Sequence, residues 1–242
     1  MNLAIDIGNT RVKAAVFEED KLIELFIFDK RKIISEIKKI IKKNTISDVI
    51  VSNVASISGK KMSLLKEIVN LKEVSASSKI PFINLYETPK TLGVDRIALV
   101  AGAAKQFPNK NVLVIDAGTC ITFDFVNAKK EYLGGAISPG IHLRYKALHK
   151  FTANLPLVDT LEVKNFIGKN TERSIVSGVL NGVVKEIDGV IKEYQQKYLD
   201  LTVVLTGGDT NFLSKQLKSS IFANQNFLLE GLNKILIFNK NK

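Results

Sequence analysis

Hydrophobic and polar residues alternate on either side of a short polar stretch near the start of the chain. Residues 3–7 are apolar except for Asp6, and between Val12 and Val16 an apolar residue recurs at every second position. Alternation with a period of two predicts β-strands, and the glycine and small polar residues between the two runs predict a tight turn. The chain is therefore predicted to open with a β-hairpin that carries one carboxylate, Asp6, beside its turn.

A second copy of this pattern lies near the midpoint of the chain. Residues 111–127 contain an apolar run, an Ile-Asp pair, one further residue, a glycine, a threonine and then a second alternating run. A third apolar run, residues 202–209, ends in two glycines and an aspartate. Internal repetition of a supersecondary unit is typical of a chain built from related parts. We therefore expect two similar halves, each beginning with the same hairpin.

Segments with helical periodicity separate the predicted strands. Isoleucines recur at helical spacing within residues 30–44. Residues 92–108 are predicted to form a loop and then a helix, whose first turn holds Asp95 and which ends before Pro108. Strands that alternate with helices predict α/β layers. The sequence thus predicts two α/β domains, residues 1–109 and 110–242, with a cleft between them.

The composition limits the class of protein further. The 242 residues are 45% hydrophobic and 24% charged, as in an ordinary soluble globular protein. Asp6 interrupts the first apolar run, so no signal peptide is expected, and no run is long enough to span a bilayer. The single cysteine, Cys120, cannot form an intrachain disulfide, which favours a cytoplasmic protein. As a lone cysteine it is expected to be buried.

The positive charge of the chain favours an acidic partner. A net charge of +11, from 35 Lys and Arg against 24 Asp and Glu, would attract nucleic acid, a nucleotide or another acidic metabolite. Much of the excess lies within residues 30–44, where the lysines occupy the polar side of a predicted amphipathic helix. No aromatic residue is interleaved with them to stack on bases. We interpret this segment as a solvated helix face and expect no nucleic-acid partner.

The two predicted hairpins could bind phosphate groups. Glycine lets the backbone approach a ligand closely, and threonine or asparagine beside it adds hydrogen-bond donors. An aspartate at the same place would repel phosphate unless a cation lies between them. Neither GxxxxGK[ST] nor GxGxxG after a strand occurs in the sequence. A single Asp-x-Gly turn could be purely structural, but its repetition favours a phosphate-binding role.

Several segments resemble the type III pantothenate kinases, a family of the actin, hexokinase and Hsp70 superfamily. They extend from Asp6 to Gly182, and LTGGD lies beyond them. The matching segments are DIGNTRVK, YETPKTLGVDR, DAGTCITFD, GGAISPG, ALHKFTANLP and NTERSIVSGVLNG. The resemblance implies two ribonuclease H-like (actin-like ATPase) domains with a nucleotide cleft between them. It also implies an enzyme that phosphorylates pantothenate with ATP, in the first step of coenzyme A biosynthesis.

The resemblance further implies roles for individual residues. Asp95 corresponds to the family's general base, and Asp116 to the residue that holds a monovalent cation, K⁺ or NH₄⁺. ATP, taken together with Mg²⁺, would contact Thr119 and the first loop. The residues of that loop are Asp6, Ile7, Gly8, Asn9, Thr10, Arg11, Val12 and Lys13. The residues expected to contact pantothenate are Tyr86, Gly93, Val94, Asp95, Arg96 and Thr171.

Structural roles are the alternatives for these residues. Asp95 and Thr171 could cap helices, Tyr86 could pack in the core, and Arg96 could lie exposed on a helix. Capping and catalysis are compatible for Asp95, because a helix N-terminus keeps a nearby carboxylate ionised. Asp116 could cap its own turn.

A few features leave the function or the site open. Thr88 stands where an amide-like residue is usual in the family, and Cys120 stands where a small residue is usual. The segment GGAISPG is expected to shape the substrate site or an interface. His142 and His149 lack metal-ligand spacing, so surface or packing roles are expected.

The resemblance implies a homodimer. The alternatives are another small-molecule kinase or a phosphatase of the same fold, or a non-catalytic regulator or nucleic-acid binder.

Overall fold

The computed structural model of the chain describes residues 1–8, 11–53, 57–162 and 165–240. The strands are β1 (Asn2–Ile7), β2 (Val12–Glu18), β3 (Lys21–Phe28), β4 (Asp48–Asn53), β5 (Leu71–Glu73), β6 (Ile83–Asn84), β7 (Asn111–Ala117), β8 (Cys120–Val126), β9 (Glu131–Pro139), β10 (Leu201–Thr206) and β11 (Phe222–Ala223). The helices are α1 (Ile33–Lys43), α2 (Gly59–Ile68), α3 (Val94–Gln106), α4 (Ile141–Lys150), α5 (Thr171–Lys197), α6 (Thr210–Gln216) and α7 (Phe227–Lys240).

The first sheet has the strand order β3-β2-β1-β4-β5. Strand β1 pairs antiparallel with β2, which confirms the predicted opening hairpin, and it pairs parallel with β4. Leu3 and Ile5 of β1 pack in one apolar cluster with Ile33 and Ile37 of α1, while α7 contacts β1, β2 and β4. Because helices cover both faces, β1 is apolar along almost its whole length rather than alternating.

The second sheet has the order β11-β10-β7-β8-β9-β6. Its strands β9-β8-β7-β10-β11 repeat the order of the first sheet, so β7 takes the place of β1 and β10 that of β4. Strand β10 runs parallel to β7, as β4 does to β1. Side chains of β7 and β8 form a core with Tyr145 of α4 and with Val183 and Ile187 of α5. The α/β class and the internal repeat predicted from the sequence are confirmed.

The chain divides into two compact units, and the first includes two segments from the second half of the sequence. The first contains Met1–Asn109, Val126–Gly134 and Asn226–Lys242, and the second contains Lys110–Phe125 and Gly135–Gln225. Two contacts explain why the first unit includes the later segments. Strand β6 pairs with the start of β9, and α7 packs on α3 and on the first sheet. The contiguous domains 1–109 and 110–242 stay a prediction.

Helices α3 and α7 approach each other unusually closely. A Cβ added at Gly231 would lie 2.0 Å from the carbonyl oxygen of Ala98, and one at Gly102 would lie 3.2 Å from the Cα of Gly231. Glycine at both positions is what permits this contact. Among the described residues, no helix is long and apolar enough to cross a membrane.

Candidate active site

Asp6 lies near the end of β1, where its two partner strands bring polar residues beside it. It is opposite Lys13 in β2 and Ser52 in β4. Its Oδ1 atom is buried and accepts no hydrogen bond from the part of the chain that the structure describes. Burial and the nearby Asp95 carboxylate raise the pKa of Asp6 to about 6, while Lys13 opposes the rise. A buried carboxylate oxygen without a donor is suited to ligate a hard cation such as Mg²⁺.

The turn after β1 is closed by its own backbone. The amide of Gly8 donates a hydrogen bond of 3.2 Å to the carbonyl oxygen of Arg11, while Ile7 and Val12 on either side are buried. Asn9 and Thr10, which were also predicted to bind ATP, lie outside the described residues.

Asp95 lies in the first turn of α3, as the sequence predicts. Its Oδ1 accepts a hydrogen bond of 2.8 Å from the backbone N–H of Arg96. The N-cap position itself is occupied by Gly93, which makes no side-chain cap, so Asp95 is not the cap residue. A Cβ at residue 93 would lie only 2.4 Å from Asp95 Oδ1. Gly93 therefore leaves the space that the carboxylate occupies.

Arg96 is buried, with an exposed fraction of 5%, and not exposed on the helix surface. Its guanidinium carbon lies 5.6 Å from the ring centroid of Tyr86, within range of a cation–π interaction. The Tyr86 ring stacks in turn on the buried ring of Tyr132, at 6.0 Å between centroids. Gly134, with φ of +109°, passes beside Tyr86. The half-buried ring of Tyr86 thus lies between the buried ring of Tyr132 and the guanidinium of Arg96.

These residues form one group within the first unit. The structure places the Asp6 and Asp95 carboxylates close enough that Asp95 raises the pKa of Asp6. Arg96, the next residue after Asp95, contacts Tyr86. One end of the group therefore carries negative charge, and a cation and an aromatic ring adjoin it. This arrangement suits a substrate with a hydroxyl group near one end and a carboxylate at the other, because a guanidinium pairs well with a carboxylate.

The second unit carries a matching aspartate. Asp116 pairs with Thr206 across β7 and β10, as Asp6 pairs with Ser52 in the first sheet. Gly207 follows Thr206 with φ of +99°, and a Cβ there would lie 2.4 Å from Asp116 Oδ1 and 2.3 Å from a carbonyl oxygen. Both the backbone conformation and the space therefore require glycine at position 207.

The loop after Asp116 has exposed side chains, and its main chain is held by a hydrogen bond. Thr119 and Cys120 are both exposed, so the expectation of a buried cysteine was wrong: residue 120 begins β8 directly at the turn, outside the apolar core. The carbonyl oxygen of Thr119 accepts a hydrogen bond of 3.0 Å from the Gly140 amide. The exposed Thr119 side chain is accessible to a ligand.

The two histidines have the surface and packing roles expected. His142 Nδ1 lies 2.6 Å from Asp159 Oδ1, and His149 Nδ1 lies 2.8 Å from the Leu155 carbonyl oxygen. Within the described ranges, no group of three His, Cys, Asp or Glu side chains could hold a metal ion. A cation bound at Asp6 or Asp116 would therefore take its remaining ligands from water or from the phosphates of a substrate, as Mg²⁺ commonly does.

Thr171 is the first residue of α5 and is exposed. The cap is its neighbour Asn170, whose side chain accepts a hydrogen bond of 2.9 Å from the Arg173 amide. The alternative interpretation of Thr171 as an N-cap was therefore wrong, and its side chain is not needed to begin the helix.

Comparison with known proteins identifies the family. The sequence profile of the type III pantothenate kinases matches residues 2–193. A type III pantothenate kinase from Christiangramia forsetii is 52% identical over 99% of both chains, and one from Bacteroides fragilis is 43% identical over the full length of both. The chain belongs to the type III pantothenate kinase family. It is therefore a kinase.

Solved structures agree on the fold of this type III pantothenate kinase. A Baf-family protein from Campylobacter jejuni matches with a TM-score of 0.65 and 22% identity, covering 99% of this chain and all of the other. A ROK-family protein from Streptococcus pneumoniae matches with a TM-score of 0.52 and 11% identity, covering 100% and 99%. At such identities the likeness concerns fold alone, and it supports the two-domain actin-like ATPase fold.

Some residues beside the candidate site were not predicted from the sequence. Ser52 and Thr206, the partners of the two aspartates, could have been predicted, since each is the last or second-last residue of an apolar parallel strand. Asp209 is buried, its amide donates a 3.0 Å hydrogen bond to the Ala117 carbonyl oxygen, and burial raises its pKa. Tyr132, which supports Tyr86, carried no local signal because it lies more than forty residues away in sequence.

Proposed function

We propose that this protein transfers the γ-phosphoryl group of ATP to the primary hydroxyl of pantothenate, giving 4′-phosphopantothenate and ADP as the first step of coenzyme A biosynthesis. The observation that carries the proposal is the group formed by Asp6, Asp95, Arg96 and Tyr86 in a chain of this family. It offers a carboxylate for a hydroxyl proton and a cation for a carboxylate.

Asp95 would orient the pantothenate hydroxyl and accept its proton. The first turn of α3 supplies the Arg96 amide as a hydrogen-bond donor to Asp95, which holds the carboxylate in one orientation. Phosphoryl transfer passes through a loose transition state, so the hydroxyl proton leaves late and a strong base is not required. The main requirement for catalysis is then the position of the Asp95 carboxylate, for which Gly93 leaves space.

Arg96 would bind the carboxylate of pantothenate. Its guanidinium is buried and stacked against Tyr86, so its orientation is fixed before the substrate binds, which lowers the entropic cost of binding. Gly93, the N-cap residue of α3, and Val94, its first residue, would line the same place. We propose Thr171, exposed at the start of α5, as a further substrate contact.

ATP would be bound by the loop from Asp6 to Lys13 and by Thr119. Asp6, whose buried Oδ1 accepts no hydrogen bond from the described residues, would hold Mg²⁺ directly or through water, and the bound metal would neutralise charge on the phosphates. Asp116 would hold a monovalent cation, K⁺ or NH₄⁺, which would balance its charge near phosphate. We further propose a cytoplasmic homodimer, as the resemblance to the family implies.

The test is pantothenate-dependent release of ADP at saturating MgATP, in potassium and then in sodium. We expect Asp95→Asn to lower kcat by about 100-fold and Arg96→Lys to raise the KM for pantothenate about tenfold. Glu18→Gln, at an exposed carboxylate on β2, is the matched control and should leave both constants unchanged.

The outcomes separate the parts of the proposal. Equal rates of ADP release in sodium and potassium would contradict the proposed cation site at Asp116 but not the kinase activity. ADP release with a sugar or acetate in place of pantothenate would favour another kinase of the same fold. No release with any acceptor would contradict the proposed activity.

A further inference from the structure

The segment Ser138–Gly140, the last two residues of β9 and the residue before α4, has no role in the site described so far. The sequence GGAISPG was expected to shape a substrate site or an interface. Its last residue, Gly140, lies against the loop after Asp116, within the second unit. A residue that fixes the position of Ser138–Gly140 therefore also affects the position of the loop after Asp116.

Contact between Gly140 and the loop is made entirely by backbone. The Gly140 amide donates a 3.0 Å hydrogen bond to the carbonyl oxygen of Thr119. A Cβ at Gly140 would lie 2.1 Å from the Gly118 carbonyl oxygen and 2.6 Å from that of Thr119. No side chain therefore fits between Gly140 and the loop, and the hydrogen bond couples the positions of the two main chains.

Arg144, one turn further along α4, binds the two residues before Gly140. Its Nε donates to the Pro139 carbonyl oxygen at 2.8 Å, and its Nη2 donates to Ser138 Oγ at 3.0 Å. Nη2 also donates to Glu186 of α5, and both side chains are largely buried, at 23% and 28% exposure. The planar guanidinium thus joins the segment to the long helix of the second unit, which a lysine could not do at three points.

We propose that Arg144 is a positioning residue for ATP: through Ser138–Gly140 it fixes the main chain of Gly118 and Thr119 in the conformation that binds the nucleotide. This inference rests on the proposed contact of Thr119 with ATP. Three of its N–H donors are directed to Pro139, Ser138 and Glu186, so the proposed role acts through this segment and needs no contact between Arg144 and the nucleotide. The effect of losing it should therefore appear in nucleotide binding and not in binding of pantothenate.

The experiment measures the KM for ATP, the KM for pantothenate and the dissociation constant of MgADP for a set of full-length variants. We expect Arg144→Gln to raise the ATP KM and the MgADP dissociation constant about tenfold, the effect of losing a charged hydrogen bond, with the pantothenate KM within twofold. Arg144→Lys should recover little, because restored charge without the planar group cannot make the three contacts. Ser138→Ala, which removes one contact only, should give about a threefold effect.

Lys146→Gln is the matched control, since it removes one positive charge from the exposed side of the same helix. It should leave all three constants unchanged. The proposal is overturned if Arg144→Gln matches Lys146→Gln, if it raises both KM values equally, or if Arg144→Lys restores wild-type binding. Should the wild-type protein fail to phosphorylate pantothenate, the proposed function fails, whereas the MgADP dissociation constants still decide the role of Arg144.

Discussion

Replacing Asp6 by asparagine should stabilise the protein, and the gain should depend on pH. The pKa of Asp6 is about 6 in the folded chain, against an ordinary value of 3.8. Folding therefore opposes ionisation of this group, so the cost is absent below pH 3.8, grows as the pH rises towards 6 and is constant above it. At about 1.4 kcal/mol for each pKa unit, the cost is about 3 kcal/mol at pH 8 and roughly half of that at pH 5.

The measurement is urea unfolding of the wild-type protein and of Asp6→Asn at pH 5 and pH 8, without nucleotide and with a chelator present. The stability difference between the two proteins should be larger at pH 8 by about 1.4 kcal/mol. Asp200→Asn is the control: this carboxylate is exposed, and its φ of +54° is one that asparagine tolerates. Its stability should follow that of the wild-type protein at both pH values.

A stability gain of equal size at both pH values would refute the reasoning, because it would show that Asp6 does not titrate between them. A loss of stability at pH 8 would refute it as well. Asp95→Asn provides a second check. Since the Asp95 carboxylate contributes to the raised pKa of Asp6, its removal should reduce the pH-dependent part of the difference. The ¹³C resonance of the Asp6 carboxyl group would report the pKa directly.

Three further predictions concern Gly93, Gly207 and Cys120. Gly93→Ala should displace the Asp95 carboxylate, whose Oδ1 lies 2.4 Å from the added methyl, and should lower kcat at least tenfold in the ADP-release assay. Gly207→Ala forces a side chain into φ of +99° and 2.3 Å from the Ala117 carbonyl oxygen; urea unfolding should show a loss of about 2 kcal/mol or more. The exposed Cys120 thiol should react with Ellman's reagent in the folded protein, more slowly when MgADP is bound.

The parts of the fold that depend on local pattern could be predicted from the sequence. Both hairpins follow from alternation around a glycine turn, and α3 follows from its helical period and the proline after it. The position of Asp95 in the first turn of α3 followed from the same local pattern. Its proximity to Asp6 did not, because no short-range pattern reports the distance between a strand end and a helix start.

The features that could not be predicted depend on contacts between distant residues. The pairing of β6 with β9 is only two residues long at β6, too short to leave a hydrophobic pattern, yet it brings Tyr132 beneath Tyr86. The edge strand β3 was not predicted, although its residues alternate between exposed and half-buried. The exposure of Cys120 was predicted wrongly, because composition favours burial and only the turn before β8 places the residue at the surface.

The return of α7 to the first sheet has a consequence for synthesis. Buried Asn2 of β1 donates a hydrogen bond to Asn233 of α7, 231 positions later in the chain. The chain is synthesised from the N-terminus at about 5–20 residues per second, and a domain generally folds as a unit. The first sheet must therefore wait roughly ten seconds or more, with the face that α7 covers exposed to solvent, until that helix leaves the exit tunnel. The first strand to be made is thus among the last to be fully buried, and chaperones that bind apolar nascent segments have that interval in which to act.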